Sequence, residues 1–345
     1  IVARMRRDAQ WWASNGKREQ DLPRAEQTDE FFEACNNLGL TITAETEPLL
    51  AEFAQDERER LIQSLATGDI DAATRDFVFY RLRQIDGDIV AANLTVLHNQ
   101  DILIGDRDFR GNLRVQAINE LGTTKDKRIF QPLIEALKDS TMGVREASAR
   151  ILGELNVKQA VEPLIQALNN GLKPQNHNPF QRKVESKSQN RQYDIVQIIR
   201  SLGKLGDKQA VKPLIQILGD EEGEVRAASA KALRQLDDKR AVHPLIQALN
   251  NEPKLPNNSR YDFDAKVEII KSLGQLGDKQ AVDPLIQALS NEDERIRAAS
   301  AEALGQLEDI RAVEPLIQAL TDELASPIQS RFLVDAKVEI IRSLG

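Results

Sequence analysis

The chain has 345 residues, 41% of them apolar but only 4% aromatic, with 29% charged and a formal net charge of −8. A single cysteine, Cys35, excludes an internal disulfide and a thiolate metal cluster. No apolar run approaches the roughly 18 residues needed to span a bilayer, and no secretory leader pattern opens the chain, so no membrane partner and a cytoplasmic location are expected.

Residues 1–103 carry no repeat. Arg4 to Ala13, Glu30 to Cys35, Leu49 to Leu65 and Ala72 to Leu94 read as helical, and the polar stretch Asn15 to Thr28, with Gly16 and Pro23, reads as a linker. Residues 1–100 hold 11 Lys/Arg against 18 Asp/Glu, which leaves 35 against 36 for the rest. This acidic helical segment is either a cap over the first repeat or the remnant of a preceding domain, which the paired Trp11 and Trp12 would have met. The first residue, Ile1, is not Met, so the chain reads as an excerpt.

From residue 104 onward one phrase recurs. Pro-Leu-Ile-x-(Ala/Ile)-Leu starts at Pro132, Pro163, Pro213, Pro244, Pro284 and Pro315. Self-similarity at a period of tens of residues marks a stack of units, each covering its neighbour's apolar face. Residues 207–236 illustrate the unit. Gly206 stops one helix and Asp207 caps the next. Val211, Leu214, Ile215 and Leu218 form one apolar stripe, with a kink or short break expected at Pro213. A polar turn, Gly219 to Gly223, leads to a second stripe of Val225, Ala228, Ser229, Ala232, Leu233 and Leu236. The intervals pair up: Pro213 to Pro284 and Pro244 to Pro315 are each 71 residues, while Pro132 to Pro213 and Pro163 to Pro244 are each 81. Two-repeat units of 71–81 residues therefore build 104–345. The array reads as truncated after Gly345, because Ile340, Ile341 and Leu344 lack a covering helix.

Asp139 with Val144-Arg145, Asp220 with Val225-Arg226, and Asn291 with Ile296-Arg297 resemble the Asp…Val-Arg signature of HEAT repeats. The short copy Asp238 to Ile246 resembles the subclass called phycobilisome-lyase HEAT-like repeats. The resemblance covers about 104–345. It implies an all-α fold, an α-solenoid in the form of a right-handed superhelix of antiparallel helix pairs. It also implies a non-enzymatic scaffold or adaptor, the repeat arm of a larger protein, gripping a protein partner on the concave second-helix face and the long-loop rim. The subclass implies an alternative, a bilin lyase-like factor or chaperone whose partner is a phycobiliprotein, with bilin as the one cofactor. The Asp/Arg pairs are expected to form a ladder between repeats.

No catalytic constellation is visible. His98, His177 and His243 are far apart and are followed by Asn, Asn and Pro, unlike the His-Glu pairs with which one family of HEAT-like repeats holds a di-iron centre. The long turns are the candidate sites, expected along one rim. The first, 169–193, carries Lys173, His177, Phe180, Arg182, Lys183, Lys187 and Arg191, with Glu185 its one acid. The second carries Arg260, Tyr261 and Phe263, and the third Arg331 and Phe332. Arginine and aromatics are enriched where interfaces concentrate their energy, although the aromatics can equally tuck their own loops down. The basic first loop opens a second alternative, nucleic-acid binding, against which the near-neutral balance of the array weighs.

Overall fold

The computed structural model describes residues 59, 61, 62, 82, 89–98, 113–172, 187–251, 260–325 and 342, with backbone alone for 172, 187–193, 260–262 and 322–325. The chain separates into two compact units, Ile1–Ala136 and Leu137–Gly345. All of the described secondary structure is helical.

In the first unit, α1 (Ile89–His98) packs on α2 (Leu113–Thr124), and a 3-10 turn (Lys127–Ile129) runs into α3 (Phe130–Ala136). Leu61, Leu82, Ala92, Val96 and Ala117 form the core, flanked by Ile62 and Leu113. Two polar side chains in this core are bonded. Arg114 donates from Nε to the Leu97 carbonyl at 3.0 Å, and Asn93 donates from Nδ2 to Ile89 O and Glu120 Oε2. Other helical stretches expected before residue 89 lie almost wholly outside the described residues.

The second unit alternates two helix types. The second helices of the repeats (B) are α4 (Met142–Glu154), α6 (Lys187–Leu205), α8 (Gly223–Leu236), α10 (Arg260–Leu276) and α12 (Glu294–Leu307). The first helices (A) are α5 (Val161–Leu172), α7 (Val211–Ile217), α9 (Val242–Asn250), α11 (Val282–Ala288) and α13 (Val313–Ala325). Each B helix packs closely on the next, and α7, α9 and α11, like α5, pack on the B helix that follows them; successive A helices barely touch. Small residues let the B layer close up. A Cβ on Gly274 would lie 2.8 Å from Ala303 Cα, one on Gly203 3.0 Å from Ala232 Cα, and one on Gly153 2.9 Å from Ser201 Cβ. Apolar side chains of both layers meet between them, among them Leu164, Ile199, Leu214, Leu233, Leu245 and Leu273.

The local grammar of the unit follows from its sequence. Gly206 and Gly277 end their helices at φ +69° and +67°, a conformation that a side chain resists. Asp207 then accepts from Gln209 N at 2.9 Å, and Asp238, Asp278 and Asp309 cap their turns in the same way. The break expected at Pro213 lies before it: a 3-10 turn, Lys208–Ala210, leads into α7, so Pro213 falls in the first turn, where no backbone donor is needed. Every expected position of the second stripe is buried. In the first stripe, Ile217 is buried more fully than Ile215. Ser229, inside the second stripe, donates to the Leu214 carbonyl at 2.6 Å and so ties B to A.

Candidate partner-binding face

The B helices carry a register that the A helices lack. Two residues before the buried Leu152, Leu202, Leu233 and Leu273 stand Arg150, Arg200, Lys231 and Lys271, one cation per helix on α4, α6, α8 and α10. Glu302 occupies this position on α12. Arg200, Lys231 and Lys271 are exposed and Arg150 is partly so. Across α4, α6 and α8 lies an open cavity of about 260 Å³, floored by Ala228 and Ala232 and edged by Arg150, Arg200, Lys204 and Lys231. Its one lining carboxylate is Glu154, which pairs with Arg150 at 3.1 Å and Lys204 at 3.9 Å. Arg200 approaches Glu224 at 3.6 Å. Pairs this exposed are worth well under about 1 kcal/mol each, so a ligand can displace them.

Beside this face is a carboxylate site that the repeat template does not predict. Asp194 on α6 stands where Ala265 stands in the next pair, and Glu146 on α4 where Ala227 and Ala298 stand. Asp194 is 7% exposed. Its Oδ2 accepts from Arg145 Nε at 3.0 Å and from Nη2, while Oδ1 and Glu146 Oε2 find no partner among the described residues. Burial pushes the Asp194 carboxyl up to about 6, outweighing the Arg145 charge. Glu146 is raised too, first by burial and then by the Asp194 charge, with Arg150 and Arg200 pulling the other way. Alignment of the repeats against one another would have exposed both departures.

Of the twelve loop candidates, Lys173, His177, Phe180, Arg182, Lys183, Arg331 and Phe332 lie outside the described residues. Lys187 and Arg191 lie on α6, and Arg260 and Tyr261 begin α10. The turn expected over 169–193 is therefore shorter: α5 continues to Leu172 and α6 begins at Lys187. Lys, Gln and Arg are adequate helix formers, so a polar run need not be a loop. Phe263 is half-buried beneath the Arg295 guanidinium, 5.5 Å from its ring centroid, and Arg295 also bonds Asp293 and Asp264. That side chain is held down against the next B helix.

The expected Asp/Arg ladder takes another form. Arg145, Arg226 and Arg297 donate to carbonyls of the turn before their own helices, as Arg226 does to Asp220 O at 2.6 Å and Glu221 O at 2.9 Å. Bonds between repeats come from the B helices, as Arg145 to Asp194 and Ser201 to the Ala149 carbonyl, and from the capping turns. Arg311 reaches the Lys279 carbonyl at 3.2 Å and Arg240 the Lys208 carbonyl at 3.5 Å. Hydrogen bonds from these arginines hold Asp238 and Asp309 down at about 2. His98 and His243 are exposed. Among the described residues no three His, Cys, Asp or Glu side chains are grouped to hold a metal, and no helix is long and apolar enough to cross a membrane.

These elements define an all-α repeat solenoid of antiparallel helix pairs. The model of the HEAT repeat family matches residues 101–174, 188–256 and 258–333, well over half of the chain. The chain belongs to the HEAT-repeat family. No curated protein matches it. Among solved structures it is similar to the complex of CpcE and CpcF of phycocyanin lyase from Nostoc sp. PCC7120, at 22% identity over 62% of this chain and 93% of that one, TM-score 0.44. It is also similar to human deoxyhypusine hydroxylase (17% identity, 76% of this chain and 99% of that, TM-score 0.30). A third is importin beta (12% identity, 92% of this chain and 52% of that, TM-score 0.42).

Proposed function

We propose that this chain is a non-enzymatic protein-interaction scaffold whose partner lies along the B-helix face and meets the long A-to-B connections at its edge. The observation that carries this reading is the exposed, register-locked row of side chains on the B layer. A surface whose helices are held in place by close packing needs no backbone rearrangement to meet a partner. A photo-crosslinking residue at Lys271 is expected to yield partner adducts in extract of the source cells, whereas one at the exposed Lys212 on α7 yields none. Adducts from Lys212 alone refute the assignment of the face. Shortening the connection between Leu172 and Lys187 should weaken recovery of the same partner; equal recovery removes the connection from the interface.

A second reading rests on the Asp238 to Ile246 repeat and its subclass: a bilin lyase-like factor or phycobiliprotein chaperone acting in the cytoplasm. Incubation with phycocyanobilin and an apo-phycobiliprotein tests it, since a covalent coloured adduct is expected and an unchanged absorption spectrum removes it.

A further inference from the structure

The spacing of the cation row specifies the chemistry of its occupant. Neighbouring helices pack with axes about 8–10 Å apart, so Arg150, Arg200, Lys231 and Lys271 make a track of about 25–30 Å across the B layer. A chain extended in the polyproline II conformation advances about 3.1 Å per residue with three residues per turn, so every third side chain lies on one face and meets the next helix. Between the cations the surface offers small apolar floor, at Ala228 and Ala232, and an exposed side-chain amide at Gln235. Amides both donate to and accept from a peptide backbone.

We propose that this row binds an acidic segment of a partner protein, laid extended across α4, α6, α8 and α10 with a carboxylate at about every third residue. The proposal rests on the scaffold reading above and adds the partner's chemistry to it. Nucleic acid fits less well for three reasons. No aromatic side chain lines the cavity to stack a base. Carboxylates interrupt the basic surface at Glu154, Glu224 and Glu302, where a phosphate backbone charged at every residue would be repelled. The whole chain carries −8, which opposes a polyanion at long range. A segment with spaced carboxylates places charge at the cations and neutral backbone at the interruptions.

The test is fluorescence anisotropy with the full chain. The probes are a labelled 18-residue Gly/Ser peptide with Glu at every third position, the same composition with its Glu residues consecutive, the Gln version, and oligothymidine. The periodic peptide is expected to bind best, with affinity falling as salt rises. R200E and K231E should each weaken it about 3- to 10-fold, R200K and K231R should retain it, and K212E on α7 should leave it unchanged. All three substituted positions are exposed, and matched far-UV spectra establish that the five variants are folded. Equal binding of the Gln peptide, indifference to both reversals, or tighter binding of oligothymidine overturns the proposal. Equal binding of the consecutive-Glu peptide overturns the extended, every-third register. The Lys271 crosslink does not depend on the partner's charge, so adducts there alongside a negative peptide result remove the acidic segment and leave the scaffold reading standing.

Discussion

The Asp194 carboxyl makes a stability prediction that can be worked through. In the unfolded chain this group titrates near 3.8, and in the folded protein at about 6. The folded state therefore holds the proton more tightly, and stability falls as pH rises through the interval between the two values. Above pH 6 the charged form costs the fold about 3 kcal/mol relative to the unfolded chain, of which about 2 kcal/mol accrues between pH 4.5 and 7.5. Asp194→Asn keeps an oxygen for Arg145 and removes the titration. Urea unfolding followed by far-UV circular dichroism at both pH values, for the parent and the variant, isolates this residue and its coupling to Glu146, because the remaining titrating groups cancel in the comparison. The variant's stability relative to the parent should improve by about 2 kcal/mol at pH 7.5 over its value at pH 4.5. Identical pH dependence in the two proteins would refute the reasoning, and would mean that water or a neighbouring group satisfies the carboxylate in solution. The Asp194 charge raises Glu146, so Asp194→Asn also removes that charge from beside Glu146 and lets its carboxyl ionise more readily.

Two further substitutions probe the closely packed layer by the same unfolding measurement. Gly274→Ala gains about 1 kcal/mol of helix propensity but drives a methyl to 2.8 Å from Ala303 Cα, so a net loss of about 1–3 kcal/mol is expected; a gain would show that α10 and α12 separate freely. Ser201→Ala breaks a hydrogen bond to the Ala149 carbonyl at 2.7 Å between α6 and α4, and should cost about 1 kcal/mol, with no change expected if the bond is traded for water.

Much of the architecture is legible in the residues. The recurring Pro-Leu-Ile phrase marks the A helices, the apolar spacing from Val225 to Leu236 marks a B helix, and Gly206-Asp207 marks the stop and the cap. These are local signals, each set by one backbone preference. The cation row was written there too, at one position per repeat, but a charge balance over 104–345 averages it with acids elsewhere and returns nearly zero. The electrostatic coupling of Glu146 to Asp194 was harder to see, since it joins residues 48 positions apart and depends on how closely α4 and α6 pack. The arginine staples were only partly legible, because an Asp and an Arg six apart do not show that the guanidinium bonds the carbonyls of its own turn, nor that Arg145 also reaches the Asp194 carboxylate on the next B helix.

Because the seams are made by the B helices and by the capping turns, none depends on how many residues link an A helix to its B helix. The link before α6 is longer than the one before α10, 14 residues against nine, and yet α6 sits on α4 as α10 sits on α8. The stack thus behaves as a rack with interchangeable fittings: connections can be lengthened, shortened or swapped to suit a new target without resetting the pitch of the helices beneath them.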